Sequence, residues 1–122
     1  MAIREEELEV YQLAFEMAMQ TFQLTKRFPV EERYSFTNQR RRSSRSVWAN
    51  LAAAWRKRRY RAAFMAKLSA SKAEAAATQT WINFAVRCDD LKSEQGQDRS
   101  QNYDRLLGKL VKIMHNPSPW LI

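Results

Sequence analysis

A single cysteine, Cys88, leaves the chain without an intrachain disulfide framework and fits a reducing cytoplasm. One cysteine and one histidine, His115, cannot supply a zinc ligand set. Two glycines cannot build a phosphate-cradling glycine loop. The acids Asp89, Asp90, Glu94 and Asp98 cluster, but without the alternation and closing glutamate of a calcium loop. Cys88 has no histidine near it in sequence and reads as a small buried hydrophobe. His115 reads as a cation complementing a helix end. Nothing places two carboxylates in one pocket. The expectation is no catalytic residue, no metal, no cofactor and no enzymatic activity. Residues 4–7 read Arg-Glu-Glu-Glu with no apolar run behind a basic start, and no window approaches the ~18 apolar residues of a spanning helix. The chain reads as soluble and cytoplasmic, with no membrane partner.

Few glycines and only three prolines leave room for few turns, so the elements must be few and long. Ala, Arg, Glu, Gln, Leu and Lys dominate, all ready helix formers. A chain of 122 residues buries roughly two-thirds of its unfolded surface, enough for one core. The reading is one all-α domain over residues 1–122, an antiparallel four-helix bundle.

The first helix runs from about Arg4 to Arg27, with Leu8, Tyr11, Phe15, Ala18 and Phe22 forming a stripe that Val10, Ala14 and Met17 widen. Phe28-Pro29 ends it. The second begins near Ser35 to Thr37, either a candidate cap. Its inward stripe would be Phe36, Arg40, Ser43, Val47, Asn50 or Leu51, and Ala54, an unusually polar set, with Trp48 and Trp55 off its centre. An amide at Asn50 should bond a neighbouring helix or chain. No breaker lies between Trp55 and Arg61, so the link is a tight turn or a bent continuous helix. The third helix covers about Arg61 to Cys88 through Phe64, Leu68, Ala75, Ile82 and Val86, with Trp81, Phe84 and Ala85 enlarging its far end. Residues 89–100, polar and containing Gly96, read as the one clear loop. The fourth helix spans about Gln101 to His115, and Trp120-Leu121-Ile122 forms an apolar tail that should tuck onto the bundle or a partner subunit.

Net charge is +8, and it is unevenly placed. No acid occurs between Glu32 and Glu74, while twelve Lys and Arg residues fall in that stretch. A charge run is a solvated face or the footprint of an anionic partner. Arg41, Arg45, Arg56, Lys57, Arg58, Arg59 and Arg61 lie off the apolar stripe or at the junction of helices two and three. They are the candidate phosphate contacts, with Trp55 and Tyr60 able to stack on exposed bases.

The segments Leu8-Glu9-Val10-Tyr11-Gln12 and Leu24-Thr25-Lys26-Arg27-Phe28-Pro29 open a wider likeness. It continues through Arg45-Ser46-Val47-Trp48-Ala49-Asn50-Leu51-Ala52, Trp55-Arg56-Lys57-Arg58-Arg59-Tyr60 and Thr78-Gln79-Thr80-Trp81-Ile82-Asn83-Phe84-Ala85 to Leu107-Gly108-Lys109-Leu110. Over nearly its whole length the chain resembles the four helix bundle proteins grouped with ribosomal-RNA intervening-sequence proteins. That resemblance implies an up-down-up-down bundle, a ring-shaped homopentamer and no enzymatic activity. The same superfamily holds accessory proteins of diversity-generating retroelements, basic pentamers that bind nucleic acid and a reverse transcriptase. This chain departs from the family at Arg40, where an apolar residue is usual, and at Ala53, Arg61, Ala70, Lys72 and Ala77, where acids are. Trp48 replaces a smaller residue, and Asp89-Asp90 stands where a glycine–aromatic pair is common.

Two readings follow. In one, the chain is a homo-oligomer, a pentamer by preference, whose basic second helix binds DNA or RNA without sequence preference, as a reverse-transcriptase accessory factor among other roles. In the other, it is a structural or engineered assembly subunit whose altered face meets a second protein. The oligomer interface in either case draws on Trp48, Trp55, Ala53, Ala73, Ala77 and Trp120, whose apolar surface exceeds what four short helices bury.

Overall fold

The computed structural model describes residues 5–27 and 37–122, with side chains of the first helix from Glu9 onward. Four helices carry the chain: α1 (Glu5–Thr25), α2 (Asn38–Arg56), α3 (Arg61–Arg87) and α4 (Ser93–His115), followed by a short 3-10 turn at Ser118–Trp120. There is no strand among the described residues. Each helix packs on its neighbours in sequence, and α4 returns against α1, so the four close into a bundle around one core. Leu8, Phe28, Pro29, Ser35 and Phe36, given roles in the expected stripes and helix ends, lie outside the residues and side chains described.

The core side of α1 is not the aromatic stripe. Val10, Ala14, Met17 and Ala18 are buried, whereas Phe15 and Phe22 are 45% and 40% exposed. Two apolar stripes run side by side on this helix, and the inward one uses the smaller residues. In α2 the polar stripe does face inward: Arg40, Ser43, Ser44, Val47, Leu51 and Ala54 are buried. Short side chains let α3 approach closely there, and Ser71 Oγ donates to the Val47 carbonyl at 2.9 Å. Asn50 turns out to serve its own helix, donating to the Ser46 carbonyl at 2.9 Å and to Ser46 Oγ at 3.1 Å. No neighbouring element is needed to satisfy its amide nitrogen.

Helix ends differ from expectation in two places. Thr37 does not cap α2: its backbone is already helical (φ −61°, ψ −43°), and its side chain makes no capping bond. A capping hydroxyl reaches forward only from an extended backbone. The segment 93–100 is not loop but the first two turns of α4. Gly96 acts there as a close-approach residue, buried where a Cβ would overlap Val86 Cγ2 of α3. The actual connection is shorter and closes α3 with paired bonds, Asp90 N to the Ala85 carbonyl at 3.0 Å and Asp89 N to the Val86 carbonyl at 3.1 Å. This arrangement needs a left-handed residue just past the helix end, and Asp89 takes φ 60°, a conformation that glycine adopts at least cost. Cys88, beside it, is exposed rather than buried.

One layer of the core is polar. Thr21, Ser44, Thr78 and Tyr103 are buried, one from each helix. The three smaller hydroxyls donate to carbonyls of their own helices: Thr21 to Met17 at 2.9 Å, Ser44 to Arg41 at 3.1 Å, Thr78 to Glu74 at 2.8 Å. The Tyr103 hydroxyl sits among them without meeting any at full hydrogen-bonding geometry. Burial pushes its pKa up to about 12, while the hydroxyls of Thr21, Thr78 and Ser44 pull the other way. Arg40, only 2% exposed, lies one turn from Ser44 and borders a cavity of about 20 Å³ shared with Thr25 and Arg99.

Residues 116–122 fold back on the bundle. Trp120 is buried in the core and Ile122 N donates to the Arg58 carbonyl at 3.2 Å, which seats this segment against the turn between α2 and α3.

Candidate nucleic-acid interface

The turn between α2 and α3 forms without glycine or proline. Lys57 N bonds the Ala54 carbonyl at 3.0 Å and Tyr60 N bonds the Lys57 carbonyl at 2.9 Å, after which an extended Tyr60 (φ −116°, ψ 104°) starts α3. The reversal thus spends its residues on side chains of chemical use. Arg56, Lys57, Arg59 and Arg61 are exposed around it, and Tyr60 stands 64% exposed among them. Among the described residues no carboxylate lies within ion-pairing distance of these four cations. Arg58 differs: half-buried, it donates from Nε to the Trp55 carbonyl at 3.0 Å and sets its guanidinium 6.0 Å from the Trp55 ring.

Trp55 itself is half-buried and stacked on Phe64, with centroids 5.7 Å apart and planes at 21°. It belongs to the packing beneath the turn, which leaves Tyr60 as the ring available there.

The seven candidate phosphate contacts fall into two groups. Arg56 to Arg61 share the turn. Arg41 and Arg45 lie toward the other end of α2, Arg45 about 16 Å from Arg56 along the axis at 1.5 Å per residue. Arg41 is engaged in packing, with Nε donating to Thr25 Oγ1 at 2.7 Å and the guanidinium 4.8 Å from the Phe22 ring centroid. Arg45 is exposed, its Nε on the Arg41 carbonyl at 3.2 Å. Arg42, not among the seven, is also exposed on this side; its spacing of three from Arg45 was the signal that places it there.

The charges at the starts of α2 and α3 run against the helix dipoles. Arg40, Arg41 and Arg42 crowd the start of α2 and Arg61 is the first residue of α3, and neither first turn holds an acid. Helix starts carry partial positive charge, where a cation costs about 0.3–1 kcal/mol at low salt. Helix stability therefore does not account for Arg40, Arg41, Arg42 and Arg61, whereas Arg56 in the last turn of α2 lies with the dipole.

The residues expected at an oligomer interface are scattered. Trp48 is half-buried in α2, its ring tilted against Tyr11 at 5.6 Å and Phe15 at 5.4 Å. Ala53 is half-buried on the outer side of α2, Ala73 exposed and Ala77 half-buried on α3, while Trp120 is enclosed by its own chain. Sequence reasoning missed the larger apolar feature, the exposed Phe15, Met19 and Phe22 on α1. Elsewhere Lys109 Nζ meets Glu9 at 2.8 Å and holds that carboxyl below the usual carboxylate range. Among the described residues no three His, Cys, Asp or Glu side chains gather to hold a metal, and no helix is long and apolar enough to cross a membrane.

Comparison with known proteins bears on the fold and the family. The chain is similar to a protein of unknown function from the S23 ribosomal protein family of Bacteroides thetaiotaomicron, known from its crystal structure. The two share 24% identity with a TM-score of 0.83, over 91% of this chain and 99% of that one. At this identity the likeness carries the fold alone. No curated protein matches the chain. The family model of the 23S rRNA-intervening sequence protein matches residues 6–112, from the first turn of α1 to the last turns of α4. The chain belongs to the 23S rRNA-intervening sequence protein family.

Proposed function

We propose that this protein is a non-enzymatic, cytoplasmic, homo-oligomeric bundle that binds nucleic acid without sequence preference through the α2–α3 turn. The observation that carries the reading is the turn itself: four exposed cations with no carboxylate at pairing distance among the described residues, surrounding an exposed tyrosine. Each phosphate neutralised by such a cation releases condensed counterions, and an exposed ring adds a stacking surface. The name of the family refers to ribosomal RNA, which makes RNA the first ligand to try.

The assembly we infer is an up-down-up-down antiparallel bundle, supported by cross-helix pairings that run in opposite senses. Tyr11 and Thr25 of α1 meet Trp48 and Arg41 of α2 respectively. A ring of five copies is the favoured oligomer, with exposed small residues of α3 such as Ala73 and Ala76 as its contact surface. A role beside a reverse transcriptase is one setting in which such a ring would act.

The test is a salt titration of binding to mixed-sequence RNA and DNA strands, followed by fluorescence anisotropy. Four contacts predict log K falling with log salt by about 3 on single strands. The Arg56→Ala, Lys57→Ala, Arg59→Ala, Arg61→Ala variant should flatten the slope. A parent slope near zero, or a variant that binds as well as the parent, would refute the reading.

A further inference from the structure

We propose that the ligand is a single strand lying lengthwise along the outer side of α2, held at both ends and stacked on the exposed Tyr60 ring. This rests on the reading of the α2–α3 turn as a phosphate site, and it adds the strandedness and the path. Residues 42, 45, 49, 53 and 56 recur at spacings of three and four on the side of α2 away from its buried stripe. Arg42 and Arg45 stand at one end of that line and Arg56 at the other, all exposed. Between them Ala49, Ala52 and Ala53 rise no higher than a methyl group, so a chain can lie close to the helix. No acid occurs anywhere in α2.

Arg42 to Arg56 spans about 21 Å at 1.5 Å per residue. At the ~3.4 Å per nucleotide of a fully stacked strand that is at most about six nucleotides. An exposed ring, Tyr60, stands beside the turn; toward the other end Phe15 packs against Trp48 at 5.4 Å, and the Arg41 and Lys26 cations each lie 4.8 Å from the Phe22 centroid. Exposed rings bind unpaired bases, whereas a duplex keeps its bases stacked on each other and offers only charge. A second copy of the chain suits this face less well. It would bring a net charge of +8 against Arg42, Arg45 and Lys26.

The experiment compares fluorescein-labelled dT4, dT12 and a twelve-base-pair duplex by anisotropy at matched salt. The expected order has dT12 at least ~10-fold tighter than dT4 and tighter than the duplex, as stacking worth ~1–3 kcal/mol per base requires. Arg42→Ala with Arg45→Ala should lower the dT12 salt slope by about 1.4, two contacts at ~0.7 each, and change dT4 affinity by less than about two-fold. Tyr60→Ala should weaken dT12 by about five-fold or more while leaving the duplex unchanged. Circular dichroism melts confirm that each surface variant is folded. A duplex that binds tighter than dT12, or a dT12 slope unmoved by the Arg42/Arg45 change, overturns the path. If the turn variant still flattens the slope in that case, the turn reading stands without it. Loss of oligomer mass in Ala49→Arg, Ala53→Arg with dT12 affinity intact would assign this face to a copy of the chain and also overturn the proposal. Absence of salt-dependent binding to any probe removes both readings.

Discussion

The two glycines of α4 make a matched test of how closely α3 and α4 approach. Gly108 is exposed, and a Cβ there would meet nothing within 4 Å. Replacing it by alanine should stabilise the protein by about 1 kcal/mol, the helix-propensity difference alone. Gly96 sits in the first turns of the same helix, where an added Cβ would overlap Val86 Cγ2 and come within 3.6 Å of Ile82 Cγ2 and Leu91 Cδ2. Val86 is β-branched and strongly restricted at χ1 in a helix, so it cannot simply swing away. Overpacking of this kind costs about 1–3 kcal/mol. Against a propensity gain of at most ~1 kcal/mol, Gly96→Ala should be net destabilising by about 1–2 kcal/mol, several degrees in Tm for a domain this size. The sign should reverse when the obstacle is removed. In a Val86→Ala background, Gly96→Ala should become stabilising, giving a coupling energy of about 1–3 kcal/mol. Urea unfolding followed by far-ultraviolet circular dichroism, at one fixed protein concentration, measures all five proteins. A Gly96→Ala variant as stabilised as Gly108→Ala, or one unaffected by the residue at position 86, would refute the close-approach reading.

Phe64→Ala should cost about 3–5 kcal/mol, because Phe64 is fully enclosed, while Phe15→Ala should cost less than ~1.5 kcal/mol, since it loses mainly its contact with Trp48. Equal losses in denaturant unfolding would show that α1 faces the core with its aromatic stripe after all. Ser71→Ala removes the α2–α3 hydrogen bond to the Val47 carbonyl and should cost about 1 kcal/mol. Tyr103→Phe should be neutral or mildly stabilising near neutral pH, within ~1 kcal/mol, because the hydroxyl it removes is buried without a well-formed bond. A loss above ~2 kcal/mol would mean that the polar layer depends on it. The folded Tyr103 keeps its proton up to about pH 12, above the ordinary tyrosine value of 10.0. Its contribution is therefore full below pH 10 and lost as pH rises through 12, a decline of ~3 kcal/mol in alkaline unfolding that Tyr103→Phe should lack.

The sequence by itself determined that the chain is all helix, and roughly where the four helices lie. Scarce glycine and proline, and apolar residues at spacings of three and four, are local properties that need no partner to be read. It also determined the inward side of α2, polar as that side is, because Val47, Leu51 and Ala54 permit no other. The basic residues were equally legible, since surface charge follows from composition. Tertiary structure alone decided which of two adjacent apolar stripes on α1 faces in. Tyr11, Phe15 and Phe22 carry as strong a periodic signal as Val10, Ala14 and Met17, and only the space left by α2 and α4 selects the smaller set. It also decided the role of Gly96, which looks like a loop breaker in sequence and is a contact residue only because Val86 lies opposite. The split of the basic residues into two clusters, and the capture of Trp55 by Phe64, were likewise hidden. Distance along a helix axis and the partner of a ring are properties of packing, and no window of sequence contains them.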